Sequence, residues 1–254
     1  MIIRKAPSEI ERMARAGEVV AETLALVGEH ARPGVPTHEL DELADDFIRS
    51  RGGTPTFKGY RGYPASICVS PNAMVVHGIP GMYALRDGDV LSVDVGVTLD
   101  GFVADSAYTF AIGDVSEEAE RLLDAGQAAL AAGIEQCRLG SRLSDISHAI
   151  QVATESQGFS VVRSLVGHGV GRSMHEEPQI PNYGEPGRGP RLSPGMTFAI
   201  EPMITAGSPE VVLHEDEWSI STSDGSLAAH FEHTVAITEA EPRILTVART
   251  PVGA

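Results

Sequence analysis

Residues 89 to 110, DVLSVDVGVTLDGFVADSAYTF, alternate apolar and polar side chains on both sides of Asp100-Gly101, the pattern of a β-hairpin closed by a two-residue turn. In such a hairpin, paired positions sum to 201, so Asp94 faces Ala107 and Asp105 faces Gly96. The two aspartates then share one face as diagonal neighbours with Cα atoms about 7 to 8 Å apart. Val93, Val95, Val97, Ala104 and Tyr108 share the other, apolar face. Carboxylates at that spacing repel unless a cation or a shared proton lies between them. On the hairpin alone, a solvated polar face is the simpler account, but Gly96, Ser106 and Ala107 leave room around the acids instead of covering them.

Two further acids interrupt apolar runs. MTFAIEPMI, 196 to 204, contains Glu201, and AHFEHTVAI, 229 to 237, contains Glu232; a charge in such a run is rarely buried without a partner. Between them and the preceding helices lies GHGVGRSMHEEP, 167 to 178, where glycines crowd His168. Gly167, Gly169 and Gly171 are expected to let the backbone turn tightly around His168. Four carboxylates and one neutral imidazole around two divalent ions carry no net formal charge. Oxygen-rich ligation with one nitrogen suits Mn²⁺, Fe²⁺ or Co²⁺, with Zn²⁺ left open.

The order of elements repeats along the chain. Apolar residues at helical spacing follow Ser8, which with Glu11 has the form of a capping box, and a second helical pattern runs from Leu40 to Ile48 before Gly52-Gly53. Strands follow to about residue 111. Helical patterns return from Ser116 and Ser144, then strands again, with a turn at Asp224-Gly225. Arg32-Pro33-Gly34 and Gly52 recur 106 residues later as Arg138-Leu139-Gly140 and Gly158, which suggests two related helix-helix-strand halves, about 1–113 and 114–254, in a single domain. The fold class expected is α+β, with sheets meeting about a pseudo-twofold axis, helices outside and a site at the seam. Residues 178 to 195, rich in Pro and Gly, are expected to form an irregular surface loop.

The totals narrow the function. A net charge of −16 with scattered Lys and Arg argues against direct DNA binding. No apolar run is long enough to span a membrane, and the start lacks a secretory pattern, so a cytoplasmic protein is expected. Cys68 and Cys137 have no CxxC or Cys/His spacing and read as reduced thiols.

Taken in order, Asp94, Asp105, the histidine of GHGVGR, the glutamate of TFAIEP and the glutamate of FEHT resemble the methionine aminopeptidases, which have the pita-bread fold. VVHGIP (75–80), GYRGYP (59–64), HEEP (175–178) and Trp218 extend the resemblance over nearly the whole chain. It implies that Asp94, Asp105, His168, Glu201 and Glu232 hold two divalent ions, with Asp105 and Glu232 bridging, His168 and Glu201 completing one shell and Asp94 the other. It also implies a hydroxide held between the ions, with Glu201 relaying its proton to the leaving amine, and His77 and His175 donating hydrogen bonds on opposite sides of the scissile amide. Phe57, Tyr60, Tyr63, Cys68, His77, Met174, His175 and Trp218 would surround the methionine, although core packing explains Tyr60 and Tyr63 equally well from the residues alone. Glu201 and Glu232 lie too close in sequence for the helical insert of type II enzymes, and only a short segment precedes the first helix, so a minimal type I bacterial form is implied.

The expected activity is removal of N-terminal methionine from nascent chains whose second residue is small, by a monomer. A weak, transient ribosome contact through Lys58, Arg61, Arg188 and Arg191 is compatible with the charge. The rival readings are a proline-specific aminopeptidase or dipeptidase of the same fold and a non-catalytic binding module on that scaffold. His148, His214 and His230 are assigned structural roles, and His233 a supporting role beside Glu232.

Overall fold

The computed structural model describes residues 1–248; the end of the expected second half, 249–254, lies outside the described residues. Among the described residues, four helices, α1 (Pro7–His30), α2 (Thr37–Ser50), α3 (Glu117–Glu135) and α4 (Leu143–Glu155), alternate with groups of strands in an α+β fold. The strand pairings among them are antiparallel. The strands form four sheets, two of three strands, one of four and one of five.

Helix starts follow local chemistry. Pro7 opens α1 at the position where a missing N–H costs nothing, and Glu9 accepts the Ala6 N–H at 2.8 Å. The capping interaction therefore uses Glu9 in place of the expected Glu11. Ser116 caps α3 by accepting the Ala119 N–H, as its sequence position predicts.

The repeat is visible in the backbone. α2 and α4 start 106 residues apart; Gly34 and Gly140 both have φ of 92°, and Gly52 and Gly158 have φ of 77° and 85°. Each half has its own apolar core. In one, Val20, Leu40 and Ile48 pack with Leu91, Val93 and Val97; in the other, Leu122, Ile146 and Ile150 pack with Phe198, Ile200 and Phe231.

Strands Val90–Leu99 and Phe102–Ala111 form the expected hairpin in the expected register, with Asp94 opposite Ala107 and Gly96 opposite Asp105. Val93, Val95, Val97 and Ala104 are fully buried, but Tyr108 is 39% exposed; it stacks edge-on against Phe231 at the margin of the sheet. Each of the two glutamate segments is split into two strands around its acid. Thr197–Ile200 pairs with His233–Ala236, and Met203–Thr205 pairs with Ala228–His230 in a different sheet. Ile200 opposite His233 and Met203 opposite His230 belong to one register, in which Glu201 is directly opposite Glu232. The ladder opens between them because Pro202 has no N–H to donate, and the Glu232 N–H turns instead to Ala107 O in the other half.

Two more expectations change. Residues 178–181 belong to strand Glu176–Pro181, paired with Val166–Gly169, so the irregular segment starts only after Pro181. Gly167 and Gly169 lie within strand Val166–Gly169 and not in a turn, and none of Gly167, Gly169 and Gly171 has positive φ. A Cβ on Gly167 would lie 2.5 Å from Ala199 O, and one on Gly169 would lie 2.3 Å from Glu177 O. These glycines permit close backbone approach on both sides of the strand that carries His168.

Gly17, inside α1, tests which local effect wins. Alanine normally improves a helix interior by about 1 kcal/mol, but a Cβ there would lie 2.1 Å from the backbone oxygen of Leu245, which has little freedom to yield. Overpacking of this kind costs about 1–3 kcal/mol. Gly17→Ala is therefore expected to lower stability in urea unfolding; equal or greater stability would contradict this account of the contact.

Candidate metal centre

The hairpin register and the opened ladder bring four acids to the seam. Asp105 and Glu232 are 2% and 1% exposed and His168 is 7% exposed. A ligand atom from each of these three lies within 4.8 Å of the others. His168 Nε2 is 3.4 Å from Glu201 Oε1 and 3.8 Å from Asp105 Oδ2. Asp94 joins them from the neighbouring strand position, and its Oδ1, like Asp105 Oδ1 and Glu232 Oε1, is buried without a hydrogen-bond partner.

Such orphaned oxygens are costly unless protonated or neutralised by a cation. Burial pushes Asp94 up to about 7. Burial first, then the charges of the neighbouring acids, hold Asp105, Glu201 and Glu232 well above the usual carboxylate range. His168 is already set as a ligand. Gly169 O can only accept, so the 2.9 Å contact fixes the proton on His168 Nδ1 and leaves Nε2 bare towards the acids. Burial lowers His168 to about 4, which keeps the ring neutral. Clustered carboxylate oxygens and one bare imidazole nitrogen fit a divalent cation site.

All thirteen site residues singled out in the sequence line one cavity of about 270 Å³: Asp94, Asp105, His168, Glu201 and Glu232, with Phe57, Tyr60, Tyr63, Cys68, His77, Met174, His175 and Trp218. Tyr63 is 3% exposed and serves both core and cavity, since its Oη donates to Gly78 O at 2.8 Å and its ring stands edge-on to Trp218. Tyr60 Oη is 2.9 Å from His175 Nδ1. The His175 ring centroid lies 4.3 Å from that of His168. Burial lowers His77 to about 4, and its φ of 59° is unusual for a non-glycine residue, a strain that functional sites tolerate. Cys68 is fully buried with its thiol pushed far up by burial, which suits a wall residue and not a nucleophile.

Several participants escaped the sequence reading. Lys5 donates to Glu176 Oε2 at 2.5 Å, while Glu176 Oε1 accepts the Arg172 and Ser173 N–H groups; this buried pair anchors the segment carrying Met174 and His175. Asn182 Nδ2 donates to Glu201 O at 2.9 Å. Arg61, assigned from sequence to a surface contact, lines the cavity with its guanidinium over Tyr60. His230 also lines it; its place two residues before Glu232 in the same apolar run was the available signal. His148 and His214 make local hydrogen bonds outside the cavity. His233 bonds Thr246 Oγ1 at 2.8 Å and approaches Ser106 Oγ, which donates to Glu232 O at 2.5 Å, so it supports the backbone at Glu232.

The sequence model of metallopeptidase family M24 matches residues 11–239. The chain belongs to that family. Family M24 membership implies divalent metal ions, which the donor set fits. A methionine aminopeptidase of Clostridium perfringens is 51% identical over 247 residues, covering 97% of this chain and 99% of that protein. The crystal structure of a methionine aminopeptidase from Thermotoga maritima superimposes with a TM-score of 0.96 at 46% identity, covering 97% of this chain and 100% of that one. A prolidase from Pyrococcus furiosus gives a TM-score of 0.80 at 21% identity over 98% of this chain and 66% of its own, a likeness of fold alone. Among the described residues, no helix is long and apolar enough to cross a membrane.

The sign of pH dependence follows from the burial. Carboxyls raised above their unfolded values of 3.8 and 4.5 contribute stability below those values and lose it as pH rises towards their folded values. His77, His168 and His230, lowered from 6.5 to about 4, 4 and 3, lose stability as pH falls below 6.5. Between pH 6.5 and 8 the carboxyls therefore dominate. Chelator-treated protein should melt at lower temperature as pH rises from 6.5 to 8, and added Mn²⁺ or Co²⁺ should remove the slope. A melting temperature flat with pH in chelator would refute the burial of unpaired acids.

Proposed function

We propose that this protein removes the N-terminal methionine from new polypeptides whose second residue is small, as a dinuclear metal-dependent aminopeptidase of the cytoplasm. The observation that carries this is the 51% identity to a methionine aminopeptidase over nearly the whole of both chains. The convergence of five candidate ligands beside an aromatic-walled cavity supports it.

In this reading Asp94, Asp105, His168, Glu201 and Glu232 would hold the two divalent ions. Mn²⁺, Fe²⁺ and Co²⁺ match the donor set best. When bound, the ions would supply Lewis-acid polarisation of the scissile carbonyl and a lowered pKa for the attacking water. The protein does the rest. Glu201, whose backbone is held by Asn182, accepts the proton of the attacking water and passes it to the departing amine. In the tautomer in which Tyr60 O–H donates to His175 Nδ1, His175 Nε2 carries the proton and donates to the carbonyl oxygen as charge builds on it. His77, neutral because buried, donates from the other side.

Phe57, Tyr63, Cys68 and Met174 are buried and, with Tyr60 and Trp218, give the methionine side chain apolar, polarisable walls. Tyr63 is held edge-on by both Phe57 and Trp218, so the width of the cavity is set by packing.

Glu201→Gln should lower kcat by about 10²–10⁴-fold, because it removes the proton relay. His175→Ala should lower kcat by about 10²–10³-fold while metal content, read by atomic emission, stays at the wild-type level; loss of metal in His175→Ala would show the division between ligands and hydrogen-bond donors to be wrong. With Met-Ala-Ser and Ala-Pro as competing substrates, the first should be cleaved with the higher kcat/KM. Preference for Ala-Pro would replace this reading with a proline-specific one.

A further inference from the structure

His230 has no role in the mechanism above, yet its surroundings are those of a ligand. The residue is 2% exposed, its Nε2 makes no hydrogen bond, and it lies 3.7 Å from Glu201 Oε2 and 4.0 Å from Glu232 Oε2. Both separations exceed the roughly 3 Å of a hydrogen bond. They fall within the range for two donors sharing one ion, which bonds of about 2.1 Å place roughly 3 Å apart at a right angle and roughly 4 Å apart when opposed. The distances from His168 Nε2 to Glu201 and Asp105, 3.4 and 3.8 Å, fall in the same range.

Glu201 is thus bracketed by imidazoles, with Oε1 towards His168 and Oε2 towards His230. The backbone keeps His230 in place. Thr109 Oγ1 donates to His230 O at 2.8 Å and accepts its N–H at 2.9 Å, and His230 pairs with Met203 immediately beyond the opening in the ladder. A nitrogen buried without a partner costs about 1–3 kcal/mol, which ligation offsets.

We propose that His230 is a further metal ligand, binding through Nε2 an ion that it shares with Glu201 and Glu232 on the side opposite His168. The proposal rests on the reading that those glutamates hold metal. A second imidazole shifts the preference of the centre from ions satisfied by oxygen, such as Mn²⁺, towards ions that favour nitrogen, such as Co²⁺ and Zn²⁺.

The test counts imidazoles. In protein loaded with Co²⁺, each ligating histidine gives a strongly shifted, exchangeable ring N–H resonance in the ¹H spectrum, identified by ¹⁵N-histidine labelling. Two such resonances are expected in the wild type and one in His230→Gln. Co²⁺ affinity by chelator competition should fall at least about tenfold in His230→Gln, with a smaller change for Mn²⁺. One resonance in the wild type, lost in His168→Gln and kept in His230→Gln, would overturn the proposal and leave the functional reading standing; no resonance at all would overturn both. If His230→Gln does not fold, the wild-type count decides alone.

Discussion

Burial of four like-charged carboxylates at one seam is the constraint to which the rest of the molecule answers. An isolated carboxylate in a protein interior costs several kcal/mol after relaxation, and neighbouring acids add repulsion. Asp94 and Asp105 reach the seam through one hairpin, and Glu201 and Glu232 through one interrupted ladder. Among the described residues, no Lys or Arg lines the carboxylate end beside them; Arg61, the basic side chain of the cavity lining, lies over Tyr60 instead. The compensation that remains is protonation or divalent cations, and only the second leaves the acids ionised at neutral pH.

The seam must therefore be rigid without relying on charge pairing, and hydroxyls provide this. Thr234 Oγ1 accepts the Asp105 N–H and donates to Asp105 O, Ser106 Oγ donates to Glu232 O, and Thr109 Oγ1 brackets the His230 backbone. Each bond joins the first half to the second beside a candidate ligand. All are buried, where a neutral hydrogen bond contributes about 1 kcal/mol and holds geometry at no electrostatic cost. The opening at Pro202 has the same logic. A ladder continuing through Glu201 and Glu232 would tie their backbones to each other, whereas the break sends the Glu232 N–H to Ala107 O across the seam.

The parts of this arrangement that were legible in sequence are those with a strict period. Asp100-Gly101 fixes a two-residue turn, alternation fixes the faces, and the positions of Asp94 and Asp105 follow residue by residue. Glu201 and Glu232 were legible as charges in apolar runs. Their direct opposition was not, because pairing between segments joined by a long excursion of chain depends on tertiary register and not on local pattern. The glycines around His168 were recognised but given the wrong cause. Sequence shows that a side chain is absent, not whether its absence serves positive φ or a backbone oxygen such as Ala199 O within reach of the missing Cβ. Thr234 and Thr109 carried no signal and Ser106 read only as a small residue near the acids, since hydroxyls are common on strands and their partners lie in the other half of the chain.

Burial also explains why the histidines can serve beside so many acids. A carboxylate normally raises a neighbouring imidazole, and a protonated His77 or His168 would pair with the acids and displace cations. Desolvation is the largest effect on both rings and lowers each to about 4, so they remain neutral over the range in which the carboxylates need metal. The same low-polarity environment acts in opposite directions on the two kinds of group, protonating the acids when cations are missing and deprotonating the imidazoles throughout. Each group is thus poised for ligation instead of ion pairing. A more open seam would solvate the acids, restore ordinary pKa values to the histidines and weaken the hold on any ion, so the depth of the cavity belongs to the chemistry as much as the ligands do.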